Sequence, residues 1–294
     1  MSIPSFKRLI RFVPKSDPSK VLIGEPEPET VDVGATLWKG GEEVAAAVFS
    51  GSSVLSPGSK TGRREVVGRV LAPLAPEEVG TIRCIGLNYV KHAQEAKCDM
   101  PDVPTVFLKP SAALGDPWPA KTVLPKTTQE TDTGDYESEL AVVIGRTAKN
   151  VSEAEALDYV LGYTAANDVS SRAAQFAQTQ WCYSKGFDGS CPIGPAIASK
   201  ELIPDPAKLQ IKGSKNDEVV QESGIDDLIF SVPKLVSFLS QGTTLPAGTV
   251  IITGTPAGVG AGKTPKVTLK DGDRFDVKIS PHIGTLVNVF ENEA

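Results

Sequence analysis

Residues Thr131 to Arg146 read TDTGDYESELAVVIGR, which sets Asp135, Glu137 and Glu139 at alternate positions directly before an apolar run. In an extended strand, positions two apart share a face. Glu137 and Glu139 therefore project side by side, with Cα atoms about 6–7 Å apart. Carboxylates that close repel each other unless a positive charge stands between them. Two or three carboxylates with waters make the oxygen-rich set that Mg2+ or Mn2+ takes, and Asp168 in AANDVSSRAAQ is available as the third. Blander readings stand beside this one. A lone Glu here would be a solvated strand edge, and Asp168 would serve equally as a helix cap or turn residue. The acids open a strongly apolar strand with few bases nearby in sequence, which favours the metal reading.

Histidine occurs twice. His92 precedes Glu95 by three residues, so on a helical turn the two side chains face each other. A carboxylate beside an imidazole fixes its tautomer and raises its basicity, as a general base requires. H-x-x-E taken alone is a common spacing that usually means nothing. His282, in SPHIGTL, reads as a surface turn residue. Ala257 to Thr264, AGVGAGKT, fits a relaxed phosphate-binding loop with Ala in place of the first Gly. Such a loop must open a helix, and Pro265 followed by KVTLKDGD reads instead as strand and turn. Nucleotide hydrolysis is disfavoured accordingly.

The elements that would carry these residues are short. Gly (27) and Pro (23) are abundant, which implies many turns and short strands. Residues 1–76 read as a small N-terminal β domain with strands over KRLIRFV, KVLIGEP, TVDVGATL and EVAAAVF. A Pro-rich junction follows, and residues 77–294 form the catalytic domain, with strands over TVFLKP, ELAVVIGR, KLQIKG, GTVIITGTP and DRFDVKIS. Two helices are expected. One covers SEAEALDYVLGYTAA, opened by a Ser152/Glu155 capping box, and the other covers SVPKLVSFLSQG. The fold class is α+β and β-rich.

With 294 residues, 40% hydrophobic and 22% charged, the chain has the composition of a globular protein with a real core. A net charge of −6 and a pI near 5.2 argue against nucleic-acid or polybasic membrane binding. No apolar run approaches the ~20 residues that span a bilayer. Cys84, Cys98, Cys182 and Cys191 form no C-x-x-C pair, so reduced thiols are expected. The basic N-terminus resembles a mitochondrial presequence, but FKRLIRFV alternates like a first strand. A cytoplasmic location is expected, with a mitochondrial one as the alternative.

Six motifs occur in order: CIGLNYVKHAQE, FLKP, DYESELAVVIGR, NDVSSRAAQ, YSKGFDGSCPIGP and IITGTPAGVG. Together they resemble the fumarylacetoacetate hydrolase superfamily from about Cys84 to the C-terminus. The resemblance implies a mixed β-roll catalytic domain, usually a homodimer, and Mg2+ (or Mn2+) held by Glu137, Glu139 and Asp168. It implies His92 as general base with Glu95 as its orienter. Lys185 would add positive charge at the developing enolate, and Gln175, Lys185 and Thr255 would contact the carboxylate and oxo oxygens of the substrate.

The substrate class so implied is a small 2-oxo (β-dicarbonyl) acid, reacting through a metal-bound enolate. Members hydrolyse acylpyruvates, decarboxylate oxaloacetate or interconvert its keto and enol forms. Leu87 stands where acylpyruvase-like members often carry Arg, removing one anion contact. Together with the N-terminal β domain and KTPKVTLKDGD, this points to the oxaloacetate tautomerase branch, with 3-acylpyruvate hydrolysis next. A member of the family that binds but no longer turns over is the reading from another class; the intact His92, Glu95, Glu137, Glu139 and Asp168 weigh against it.

Overall fold

The computed structural model describes residues 4–294. At its centre lies the strand Ser138–Ile144, buried at every position. Leu140, Val142 and Ile144 enter one apolar core, and Ala141 and Val143 enter another on the opposite face. A strand covered on both faces must be apolar nearly throughout, and each Val, Ile or Leu so buried contributes about 1.5–3 kcal/mol. By the same alternation Glu139 shares the face of Ala141 and Val143. Its carboxylate therefore enters a buried interior.

Antiparallel neighbours flank this strand: Val160–Asn167 on one side and Val250–Ile252 on the other. The sheet runs on through Ile82–Gly86 to Thr105–Lys109, and in the other direction through Cys191–Ser199 to the N-terminal strands. A five-stranded sheet, with Arg274–Ser280 at its centre, packs on the Leu140 face, where Phe275 stacks on Tyr136 at 4.4 Å. The result is a β-rich α+β fold. Among the described residues, no helix is long and apolar enough to cross a membrane.

The N-terminal strands Arg8–Pro14, Leu22–Glu27, Ala45–Phe49 and Lys60–Leu71 pair in a ring. They enclose their own apolar cluster, with Ile10, Phe12, Val48 and Val67 among its members. Arg8 and Leu9 also pair with Ala198 and Ile197, which joins the ring to the main sheet.

Several elements differ from expectation: KVTLK before the turn forms no strand, and the strand Lys60–Leu71 was not expected. The segment expected as one helix from Ser152 is a short 3-10 turn, Glu153–Tyr159, followed by the strand Val160–Asn167. Tertiary packing decides this: a Cβ on Gly162 would lie 2.2 Å from the Ala198 carbonyl oxygen, so the segment is pressed flat against its neighbouring strand. The Ser152 hydroxyl donates to the Glu155 carboxylate at 2.5 Å instead of capping a helix. TVDVGATL, expected as a strand, holds the helix Val33–Lys39, capped by Asp32, which accepts from the Ala35 amide at 3.2 Å. The second expected helix is present as Val232–Ser240, with the Ser231 hydroxyl accepting from the Lys234 amide.

Candidate metal centre and active site

Strand register assembles the acids. Ser138 pairs with Asn167, so Asp168 emerges beside Glu137. The Asp168 amide donates to the Glu137 carbonyl at 2.9 Å, and the Glu137 amide to Asn167 Oδ1 at 3.1 Å. Carboxylate oxygens of Glu137, Glu139 and Asp168 then lie within 4.8 Å of one another, all three residues buried.

The expected scarcity of bases around these acids is corrected by the fold, because three cations arrive from distant sequence. Lys185 Nζ donates to Glu137 Oε2 at 2.7 Å, Asp168 Oδ2 at 2.8 Å and Ser170 Oγ at 2.7 Å. Lys109 Nζ donates to Asp168 Oδ1 at 2.5 Å and to the Ser190 carbonyl at 3.0 Å. Arg172 reaches Glu137 Oε1 at 2.6 Å, Asp135 Oδ2 at 2.8 Å and Gln175 Oε1 at 2.8 Å.

These charges leave Glu139 alone. Burial raises the Glu137 carboxyl, yet Lys185 and Arg172 outweigh it and hold that pKa below the usual range. Burial, Asp168 and Glu137 push the Glu139 carboxyl well above the usual range. Its donor is the Gly254 amide at 2.6 Å, and among the described residues no cation pairs with it. Burial works against the Lys185 ammonium, but Asp168 and Glu137 raise its pKa above the ordinary lysine value. With every carboxylate ionised, as metal binding would require, Asp135, Glu137, Glu139 and Asp168 bring four negative charges against three positive ones. Three hard oxygen donors around an excess negative charge suit a divalent cation of the Mg2+ type.

His92 lies on the short helix Val90–Glu95, its Nδ1 3.0 Å from Glu95 Oε2. Both Glu95 oxygens accept from the Gly258 amide, at 3.0 and 3.1 Å. Burial raises the Glu95 carboxyl, but the His92 and Gly258 contacts more than offset this and lower its pKa. With Nδ1–H given to Glu95, Nε2 keeps its lone pair; this tautomer is assigned from the contact. In its protonated form His92 favours the ionised carboxylate of Glu137.

The loop Thr253 to Ala261 ties these parts together. Its amides take carboxylates of the protein itself: Gly254 binds Glu139, Gly258 binds Glu95, and Gly260 and Ala261 bind Asp135 at 2.8 and 3.0 Å. The loop that resembled a phosphate cradle is an internal anion-binding turn, followed by a three-residue 3-10 turn, Gly260–Gly262. Gly258 has φ +107, and a Cβ there would lie 1.9 Å from the Val220 carbonyl oxygen. Gly258→Ala is therefore expected to cost about 1–3 kcal/mol, read as a lower melting temperature. A variant melting with the wild type would contradict this contact.

Of the remaining expected residues, Gln175 is buried against Arg172, and Thr255 is buried beside Gly254 with its Oγ1 2.8 Å from Gln221 Nε2. His282 is exposed at φ +80. All four cysteines are free, with Cys84 and Cys191 buried. Residues 81–291 match the model of the fumarylacetoacetate (FAA) hydrolase C-terminal family. The chain belongs to the fumarylacetoacetate hydrolase family.

This family member is 43% identical to a caffeoylpyruvate hydrolase of Neonothopanus nambi over 98% of its own length and 94% of the relative's. It is 41% identical to the oxaloacetate tautomerase YisK of Bacillus subtilis (strain 168), over 74% of its length and 71% of the relative's. Its fold superposes on a 2-hydroxyhepta-2,4-diene-1,7-dioate isomerase from Mycobacterium marinum with a TM-score of 0.79 and 32% identity, covering 98% of this chain and 100% of that one. Sequence reasoning assigned no role to Lys109, Arg172, Asp135 or Gln221. Lys109 carried a signal, a lysine closing the apolar stretch VFLK, and Arg172 lies one helical turn before Gln175. Gln221 carried none.

Proposed function

We propose that the protein is a divalent-cation-dependent enzyme that moves a proton at C-3 of a small 2-oxo acid, interconverting the keto and enol forms of oxaloacetate. The observation that carries this reading is the unpaired Glu139 within a buried carboxylate triad, held by the same loop whose Gly258 amide holds the His92–Glu95 dyad. Glu137, Glu139 and Asp168 would hold Mg2+ (or Mn2+), which when bound supplies Lewis-acid polarisation of the substrate's carbonyl. One divalent charge turns the cluster from net −1 to net +1, the sign that retains an anionic substrate.

His92 Nε2 takes the proton from C-3, and the C–H electron pair passes into the enolate. Glu95 stabilises the imidazolium so formed, and the Gly258 amide keeps Glu95 in place. The enolate oxygen then gains a proton, from His92 directly or from a water that His92 re-protonates, which leaves the enol and the neutral imidazole. Gln175 and Thr255 bind the substrate's carboxylate and oxo oxygens. Lys185 joins them by giving up one of its three acceptors, since all its hydrogens are engaged.

A second reading, hydrolysis of a 3-acylpyruvate, is favoured by the caffeoylpyruvate hydrolase, which aligns over 98% of this chain, against 74% for the tautomerase. Here His92 takes a proton from water, the resulting hydroxide attacks the distal carbonyl, and the C–C bond breaks to leave pyruvate enolate and an acid. A homodimer, in the cytoplasm or in mitochondria, is part of this reading; exposed Phe176, Tyr183, Met100 and Val103 supply apolar surface for a second copy.

Freshly dissolved oxaloacetate with Mg2+ and protein separates the reactions. Fast loss of the enol absorbance without pyruvate identifies the tautomerase, and pyruvate appearing in step identifies a decarboxylase. No change in either, with cleavage of a 3-acylpyruvate, identifies the hydrolase. Mg2+ binding without turnover of either substrate overturns the enzymatic reading.

A further inference from the structure

Gln221 lies on the strand Glu218–Gly224, far from the acids in sequence and 1% exposed. Its Oε1 accepts from the Ser138 amide at 2.9 Å, between the two glutamates of the triad. Its Nε2 donates to the Pro256 carbonyl at 2.8 Å and to Thr255 Oγ1 at 2.8 Å. Two of these partners have fixed polarity: a backbone N–H only donates and a carbonyl only accepts. They leave the amide a single orientation, so Thr255 Oγ1 faces an N–H.

A hydroxyl that receives an N–H is an acceptor in that bond, and its own hydrogen must point elsewhere. Among the described residues, no protein acceptor takes that hydrogen. Thr255 follows Gly254, whose amide holds Glu139. Its hydroxyl thus lies on the residue after the amide that holds Glu139, with a hydrogen to give.

We propose that Gln221 is a positioning residue that fixes Thr255 as a hydrogen-bond donor and so selects a substrate carboxylate at that point of the site. The inference rests on the functional reading above, in which Thr255 meets the substrate. An ether or alkyl group at the same place offers no acceptor of comparable strength, so selection for an anionic oxygen follows from an amide that never touches the ligand.

The test is calorimetric binding of oxalate to the Mg2+-loaded protein, for wild type, Gln221→Glu, Thr255→Val and the double variant. Glu keeps the oxygen that faces Ser138. In either protonation state it offers at most one hydrogen where Thr255 and Pro256 need two. Gln221→Glu is expected to weaken oxalate ~10-fold or more, the worth of a hydrogen bond to a charged group, without weakening Mg2+. In the Thr255→Val background the same change is expected to have less than a ~2-fold effect, since coupled residues are non-additive.

An oxalate affinity unchanged in Gln221→Glu overturns the proposal. So does a full loss that persists in the Thr255→Val background, which would mark simple charge repulsion or a structural role. Should Gln221→Glu fail to fold, Gln221→Met, of similar volume, carries the same cycle. Absence of oxalate binding to Mg2+-loaded wild type overturns the functional reading and this inference with it, an outcome distinct from the other two.

Discussion

Glu139→Gln is expected to abolish Mg2+ binding and metal-dependent activity while leaving a folded protein. Among the described residues, Glu139 is the acid of the triad with no cationic partner, so its charge is the one left for a metal. Gln keeps the length of the side chain and an oxygen for the Gly254 amide. Burial, Asp168 and Glu137 already disfavour the ionised form of Glu139 when no metal is bound, so a neutral Gln costs little there. Without metal the variant should therefore melt no lower than wild type. With metal the order reverses: Mg2+ at 100 times its Kd stabilises a binding protein by about 2.7 kcal/mol, and the variant gains nothing. Asp168→Asn should lose the metal too but melt lower, because it strips a buried partner from both Lys109 and Lys185. Thermal scans with Mg2+ and with a chelator read both variants. Full metal-dependent stabilisation of Glu139→Gln would remove that residue from the site.

His92→Ala is expected to lower kcat by ~10²–10⁴-fold, the usual worth of a general base, with Mg2+ affinity unchanged. In the proposed reaction the Glu95 contact holds the imidazole for proton transfer, and the ring lies outside the triad that groups the three acids. Calorimetry and turnover measured on one preparation separate the roles. A collapse of Mg2+ affinity would make His92 a ligand, and an unchanged kcat would mean that another group moves the proton.

Some of this was legible in the sequence because it is local. Glu137 and Glu139 share a face by strand geometry, and His92 meets Glu95 through one helical turn. The partners of these residues were not legible. Lys109 reaches Asp168 across 59 residues, Gln221 reaches Ser138 across 83, and Gly258 reaches Glu95 across 163. Such pairings depend on strand order, which local periodicity does not encode. The same cause explains the segment after Ser152. Its helical signal is local, and the strand that replaces part of it is imposed by neighbours on both sides. AGVGAGKT was set aside as a nucleotide loop because no helix could follow it; its amides do bind anions, and those anions are the chain's own carboxylates.

The central claim is that Glu137, Glu139 and Asp168 form a divalent-cation site. Anomalous scattering from crystals grown with Mn2+, which takes the same oxygen ligands, tests it most directly. A single peak within about 2.0–2.3 Å of one oxygen from each carboxylate is the predicted result. Density at that place for the Lys185 ammonium alone, still bridging Glu137 and Asp168 with no anomalous signal, would contradict it.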